Sequence, residues 1–133
     1  MLFRALLLAL AATVATHAAP SQGPSSGIAA DGRVIISPQG VSPPWGHDIT
    51  RLINPQYPES LRAKHAVACG FFRLIFDLHK GRVLRVVVEQ SSGYPSADAS
   101  IIAALQQWQL RPNTWKEFQV HVCMGFGKKP KST

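Results

Sequence analysis

The residues best able to do chemistry in this chain are five histidines and two cysteines. His17, His47, His65, His79 and His121 are scattered, with no i, i+4 pairing to a carboxylate and no metal-ligand spacing. No metal and no cofactor is expected from them. Two cysteines are too few for a four-cysteine zinc site. Cys69 and Cys123 are therefore nucleophiles or a bridge, and the compartment decides between the two. Ser91-Ser92-Gly93 lacks the Gly-x-Ser-x-Gly order of a nucleophile elbow and reads as a turn. With no glycine-rich phosphate loop either, the sequence does not point to an enzyme.

The compartment follows from the first residues. Residues 1–18 read as a secretory signal peptide: Arg4 is the positive start, residues 5–15 are apolar, and Thr16-His17-Ala18 puts small residues at −3 and −1 of a cleavage point. An uncleaved anchor is the alternative, but the apolar run falls short of the ~20 residues that span a bilayer. Export predicts a periplasmic protein whose cysteine pair is oxidised. The formal net charge of +7 favours an anionic partner. The charged fraction is only 16%, however, and although Arg73, Arg82 and Arg85 could cluster near the first hairpin as a nucleic-acid binder's basic patch would, an exported protein rarely meets nucleic acid. Nucleic acid is not an expected partner. Lys128, Lys129 and Lys131 belong to a solvated basic tail over residues 127–133, too weak to anchor the chain on a membrane.

Residues 19–53 read as a Pro/Gly/Ser-rich tether, broken by Pro20, Pro24, Pro38, Pro43 and Pro44. Within it, residues 33–36 could form a short strand, and Trp45 is a candidate to dock onto the domain, a loose linker being the alternative. The folded unit is expected over residues 54–126. Pro58 and Glu59 open a helix that ends near His65. Residues 69–78 alternate, with Phe72, Leu74, Phe76 and Leu78 on one face and Phe71, Arg73, Ile75 and Asp77 on the other. His79-Lys80-Gly81 turns the chain into a second strand over residues 83–89, where Val83 is out of phase with Val86 and Val88 and predicts a bulge. Ser96 is placed to cap a second helix with an Ile101, Leu105, Trp108 stripe, ended by Pro112. Residues 118–126 alternate again, with Phe118, Val120, Val122, Met124 and Phe126 facing the core. The order helix-strand-strand-helix-strand predicts an α+β fold, a two-layer sandwich of a three-stranded antiparallel sheet with two helices on one face.

Parity places both cysteines on the other face. Cys69 has the phase of Phe71 and Arg73, and Cys123 that of Gln119 and His121. If the first and last strands are neighbours and antiparallel, the start of one lies beside the end of the other, and a cross-strand disulfide is expected.

Residues 54–126 resemble the C-terminal domain of TonB, the periplasmic energy transducer of outer-membrane transport. The resemblance rests on Tyr57-Pro58, on Gly70 followed by alternation to Phe76-Asp77, on Gly81-Arg82-Val83, and on Ser91-Ser92-Gly93, Asp98, Trp108 and Pro112 in that order. The chain departs from the pattern in its cleavable signal, its short tether, its cysteine pair, and Gln106, Gln107 and Gln109 near the Trp, where the family usually has arginines. The resemblance implies that the last strand lies at a sheet edge, where Gln119, Val120, His121, Val122, Cys123, Met124 and Gly125 would receive an extended peptide from an outer-membrane receptor by strand addition. The alternative is a stand-alone structural or regulatory protein of the envelope with the same fold and no receptor. Whether the domain forms a homodimer by strand exchange stays open.

Overall fold

The computed structural model describes residues 24–125. The expected signal peptide, residues 19–23 of the expected tether, Phe126 and the basic tail lie outside the described residues. In chain order the elements are β1 (Ser25–Ala29), β2 (Val34–Ser37), a 3-10 helix (Pro44–Asp48), β3 (Ile49–Arg51), α1 (Glu59–Arg62), β4 (Ala68–Asp77), β5 (Arg82–Gln90), α2 (Pro95–Leu105), β6 (Gln109–Leu110) and β7 (Trp115–Met124). The strands form one sheet in the order β2-β1-β7-β4-β5-β6-β3, antiparallel at every pairing.

This sheet overturns the expected three-stranded sandwich with two helices. The central trio β7-β4-β5 is as expected, but four further strands flank it. α1 is a single turn, which leaves α2, among the described residues, as the one helix long enough to cover a sheet face; it packs on β4 and β5. The added strands come mostly from the segment expected to be a tether. Among the described residues its prolines fall at the ends of elements: Pro24 precedes β1, Pro38 follows β2, and Pro43-Pro44 open the 3-10 helix. Proline at such positions costs no ladder bond. β1 and β2 form a hairpin whose turn carries Gly32 at φ 88, with the Asp31 carboxylate accepting from the Arg33 backbone N–H.

Trp45 fixes that segment. It is 1% exposed, stacked on Phe118 with ring centres 5.4 Å apart, and edge-on to Trp115 at 5.5 Å. A Cβ on Gly27 would stand 3.0 Å from the Trp45 ring, so only glycine leaves the indole room over β1. Asp48 accepts from Trp115 Nε1 at 2.8 Å, and its carbonyl accepts from the Arg111 N–H. The core thus lies on one sheet face, where Phe72, Leu74, Phe76 and Phe118 meet Ile101 and Leu105 of α2 and the indole of Trp45.

Smaller expectations divide. Gly81 takes φ 68 in the β4–β5 turn, as expected. The bulge is present as well: Ile75 pairs with Arg85 and Phe76 with Val83, which leaves Leu84 without a partner on β4. The helical stripe is shorter than expected. α2 ends at Leu105, and Trp108 lies beyond it, its indole N–H donating to the Ile53 carbonyl at 2.9 Å. The short β6 then pairs with both β5 and β3. Ser96 does not cap α2; the cap position is Tyr94, which makes no side-chain cap bond. Asp98 instead closes the preceding loop. It accepts from the Ser92 N–H at 2.9 Å, from Ser92 Oγ at 2.6 Å, and from Ser91 Oγ.

Candidate functional site: the uncovered half of the last strand

β7 is ten residues long, and its two sides are used unequally. On one side it pairs with β4 continuously, from Ile75↔Glu117 to Ala68↔Met124. On the other side β1 pairs with its first half alone, from Ala29↔Trp115 to Gly27↔Phe118. Among the described residues no strand follows β1 along residues 119–124. β7 is therefore not an edge strand over its whole length, as the resemblance implied; among the described residues, only its second half lacks a paired strand on that side.

The disulfide tells which backbone groups face that free side. Cys69 and Cys123 are bridged and stand directly opposite each other, with Cα atoms 4.1 Å apart. Opposed residues in an antiparallel pair alternate between about 5.5 Å, where they exchange hydrogen bonds, and about 4.5 Å, where they do not. Cys69↔Cys123 is of the second kind. His121, two residues away, has the same phase. The N–H and C=O groups of His121 and Cys123 thus point away from β4, while those of Val120 and Val122 point into its ladder.

The side chains expected at the site divide by face. Val120 and Val122 are half-buried and pack against the core, and Met124 is buried. Gln119 is half-buried, and His121 and Cys123 are exposed. Gly125 lies just past β7, exposed, with Val67 nearby. A cavity of about 360 Å³ lies beside the free half, between residues 119–122 and the 39–41 loop that follows β2, with Ser25 and Trp45 also in its wall. Sequence reasoning missed this loop, because the segment carrying it was read as tether. Pro43-Pro44-Trp45 was the available signal: a large aromatic beside a rigid turn seldom stays in solvent.

Two side-chain groups stiffen the outer face. The His121 ring stacks on Phe71 at 4.5 Å, and its Nε2 is 3.4 Å from Cys123 Sγ. Arg73 donates from Nε to Glu89 Oε1 and from Nη2 to Ser26 Oγ, both at 2.9 Å, and stands 3.7 Å from Glu117. One guanidinium so ties β4 to β5, β7 and β1, at the point where β1 stops following β7. Its planar fork suits several acceptors at once.

No protein-family model matches the chain, and no curated protein matches it in sequence. Among solved structures, the chain is similar to the solution structure of the Pseudomonas aeruginosa TonB C-terminal domain. The match has a TM-score of 0.48 and 17% identity, over 63% of this chain and 88% of that one. A likeness of that size assigns no function. No helix among the described residues is long and apolar enough to cross a membrane.

Proposed function

We propose that this chain is a periplasmic TonB-like protein-binding module that accepts an extended segment of an outer-membrane transport receptor by strand addition along residues 119–125. One observation carries the reading: beyond Phe118, no strand among the described residues pairs with the outer side of β7, and a cavity lies next to it. An incoming strand would bond to the outward groups of His121 and Cys123, and alternate side chains of that strand would enter the cavity. Each such backbone bond contributes roughly 1 kcal/mol net. The Cys69–Cys123 bridge holds this half of β7 to β4, so the edge is already ordered before a partner arrives. Such preorganisation lowers the entropic cost of association. The sequence resemblance over residues 54–126 supplies the class of partner.

The test is a photo-crosslinking residue at Gln119 in cells exporting the protein, with the same probe at Leu84, exposed on β5, as the control. The reading predicts an outer-membrane receptor joined at 119 and not at 84. Adducts with other envelope proteins alone would favour the stand-alone role, and adducts between two copies would favour strand exchange. Equal yields at both positions would remove strand addition here.

A further inference from the structure

Cys69, Cys123 and His121 hold two sulfurs and an imidazole nitrogen within 4.8 Å of one another, on the sheet face away from the core. We propose that, once the bridge is reduced, these three residues form a binding site for a soft d¹⁰ metal ion, of which Zn²⁺ is the probe. The inference goes beyond the docking reading and does not depend on it, since the donors lie on side chains and the docking groups on the backbone.

The geometry favours this assignment. Zn²⁺ takes thiolate sulfur at about 2.3 Å and imidazole nitrogen at about 2.0–2.1 Å in tetrahedral array, which sets sulfur and nitrogen roughly 3.5 Å apart. His121 Nε2 and Cys123 Sγ are already 3.4 Å apart. The two sulfurs must separate further than a bond allows, and opposed cysteines on neighbouring strands do so by side-chain rotation, with the β4–β7 ladder unchanged. Phe71, itself buried, stacks on the imidazole and restricts its plane. Two thiolates and an imidazole select zinc or cuprous copper over magnesium or calcium. The fourth position is left to water or to a donor from a partner.

The site requires two electrons, and a dithiol reductant supplies them. Its thiolate attacks one sulfur of the bridge, the S–S bond breaks, and the other cysteine leaves as thiolate. The reductant's second thiolate then resolves the mixed disulfide and departs as a disulfide itself. Cys123 is exposed and Cys69 half-buried, so the bridge is open to such attack. Metal binding then displaces any remaining thiol protons to water. The ion re-ties β4 to β7 at the point where the disulfide had tied them.

The experiment reduces the protein with dithiothreitol, desalts it without oxygen, and titrates it with Co²⁺ and then Zn²⁺. Near-ultraviolet dichroism of the tryptophans monitors the fold. The expected result is one ion per chain, thiolate-to-cobalt charge transfer with tetrahedral cobalt bands, displacement of cobalt by zinc, and no binding to the oxidised protein. Since outer-shell partners alone contribute about 10–100-fold to metal affinity, loss of the ligand itself in His121→Ala should weaken zinc binding by at least about 10-fold, while His79→Ala, in the exposed β4–β5 turn, should not change it. Loss of the folded signal on reduction, absence of charge transfer, or equal affinity in His121→Ala would each overturn the proposal. None of these results would alter the crosslinking expected at Gln119.

Discussion

Replacing Trp45 with alanine asks whether residues 25–51 are part of the fold or a tether beside it. The indole is 1% exposed, between Phe118, Trp115 and the Gly27 backbone. A tryptophan side chain buries about 150–250 Å², and at about 25 cal/mol per Å² its removal from the core forfeits about 4–6 kcal/mol of burial. Alanine keeps part of that, and the 3-10 helix can settle partly into the space. The expected loss is therefore about 3–5 kcal/mol, the usual range for such truncations. Against a total near 5–15 kcal/mol this is a large fraction. Urea unfolding followed by far-ultraviolet dichroism measures it. Limited trypsinolysis adds a local readout, because Arg33 and Arg51 are exposed and should become early cleavage points once β1–β3 detach. A loss below about 1 kcal/mol, a shift usual for surface positions, with unchanged cleavage would refute the reasoning and restore the tether.

The bridge between Cys69 and Cys123 closes a separation of 54 residues. The chain-entropy treatment gives about 4 kcal/mol for that loop as an upper figure, so the paired Cys→Ser variant should unfold at clearly lower urea; an unchanged midpoint would contradict this. At Gly81, a Cβ would fall 2.1 Å from the Leu110 carbonyl oxygen, and Leu110 N–H donates to the Gly81 carbonyl at 2.7 Å, so the backbone cannot retreat. Gly81→Ala should therefore cost more than the roughly 1–2 kcal/mol of the left-handed conformation alone, read by thermal unfolding. Burial pushes the Asp98 carboxyl up, but the hydrogen bonds from Ser91 and Ser92 together outweigh it and hold the group below its ordinary value. With the folded value depressed, its contribution is present above the unfolded value and fades as pH falls through about 4 and below. Asp98→Asn should accordingly lose stability at neutral pH and show less acid sensitivity than the parent in that window.

The sequence carried the parts of this fold that have a strong period. Residues 69–78 and 118–124 alternate plainly, and both strands, their faces and the cysteine pairing across them could be read from parity. The bulge at Leu84 was legible because Val83 breaks phase. The flanking strands had no such signal. Ser25–Ala29 contains a glycine and two serines, and is a strand because Trp45 packs over Gly27 and β7 supplies a ladder. Tertiary contacts outweigh weak β propensity there. Proline density suggests a tether where it marks the ends of elements. β6 spans two residues, too few to show a period, and followed a helical stripe that ran on to Trp108. For the site, the residues on β7 were legible but its half-covered state was not, because that depends on where β1 stops.

The central claim is that the second half of β7 offers an unpaired backbone edge. Residue-resolved amide hydrogen exchange along β7 tests it most directly, first in the free protein and then with the receptor segment captured through Gln119. The account predicts an alternation in the free protein, with Val120 and Val122 protected by β4 and His121 and Cys123 exchanging readily. It further predicts that His121 and Cys123 become protected when the segment binds. Equal protection of all four amides in the free protein, or no gain at His121 and Cys123 on binding, would contradict it.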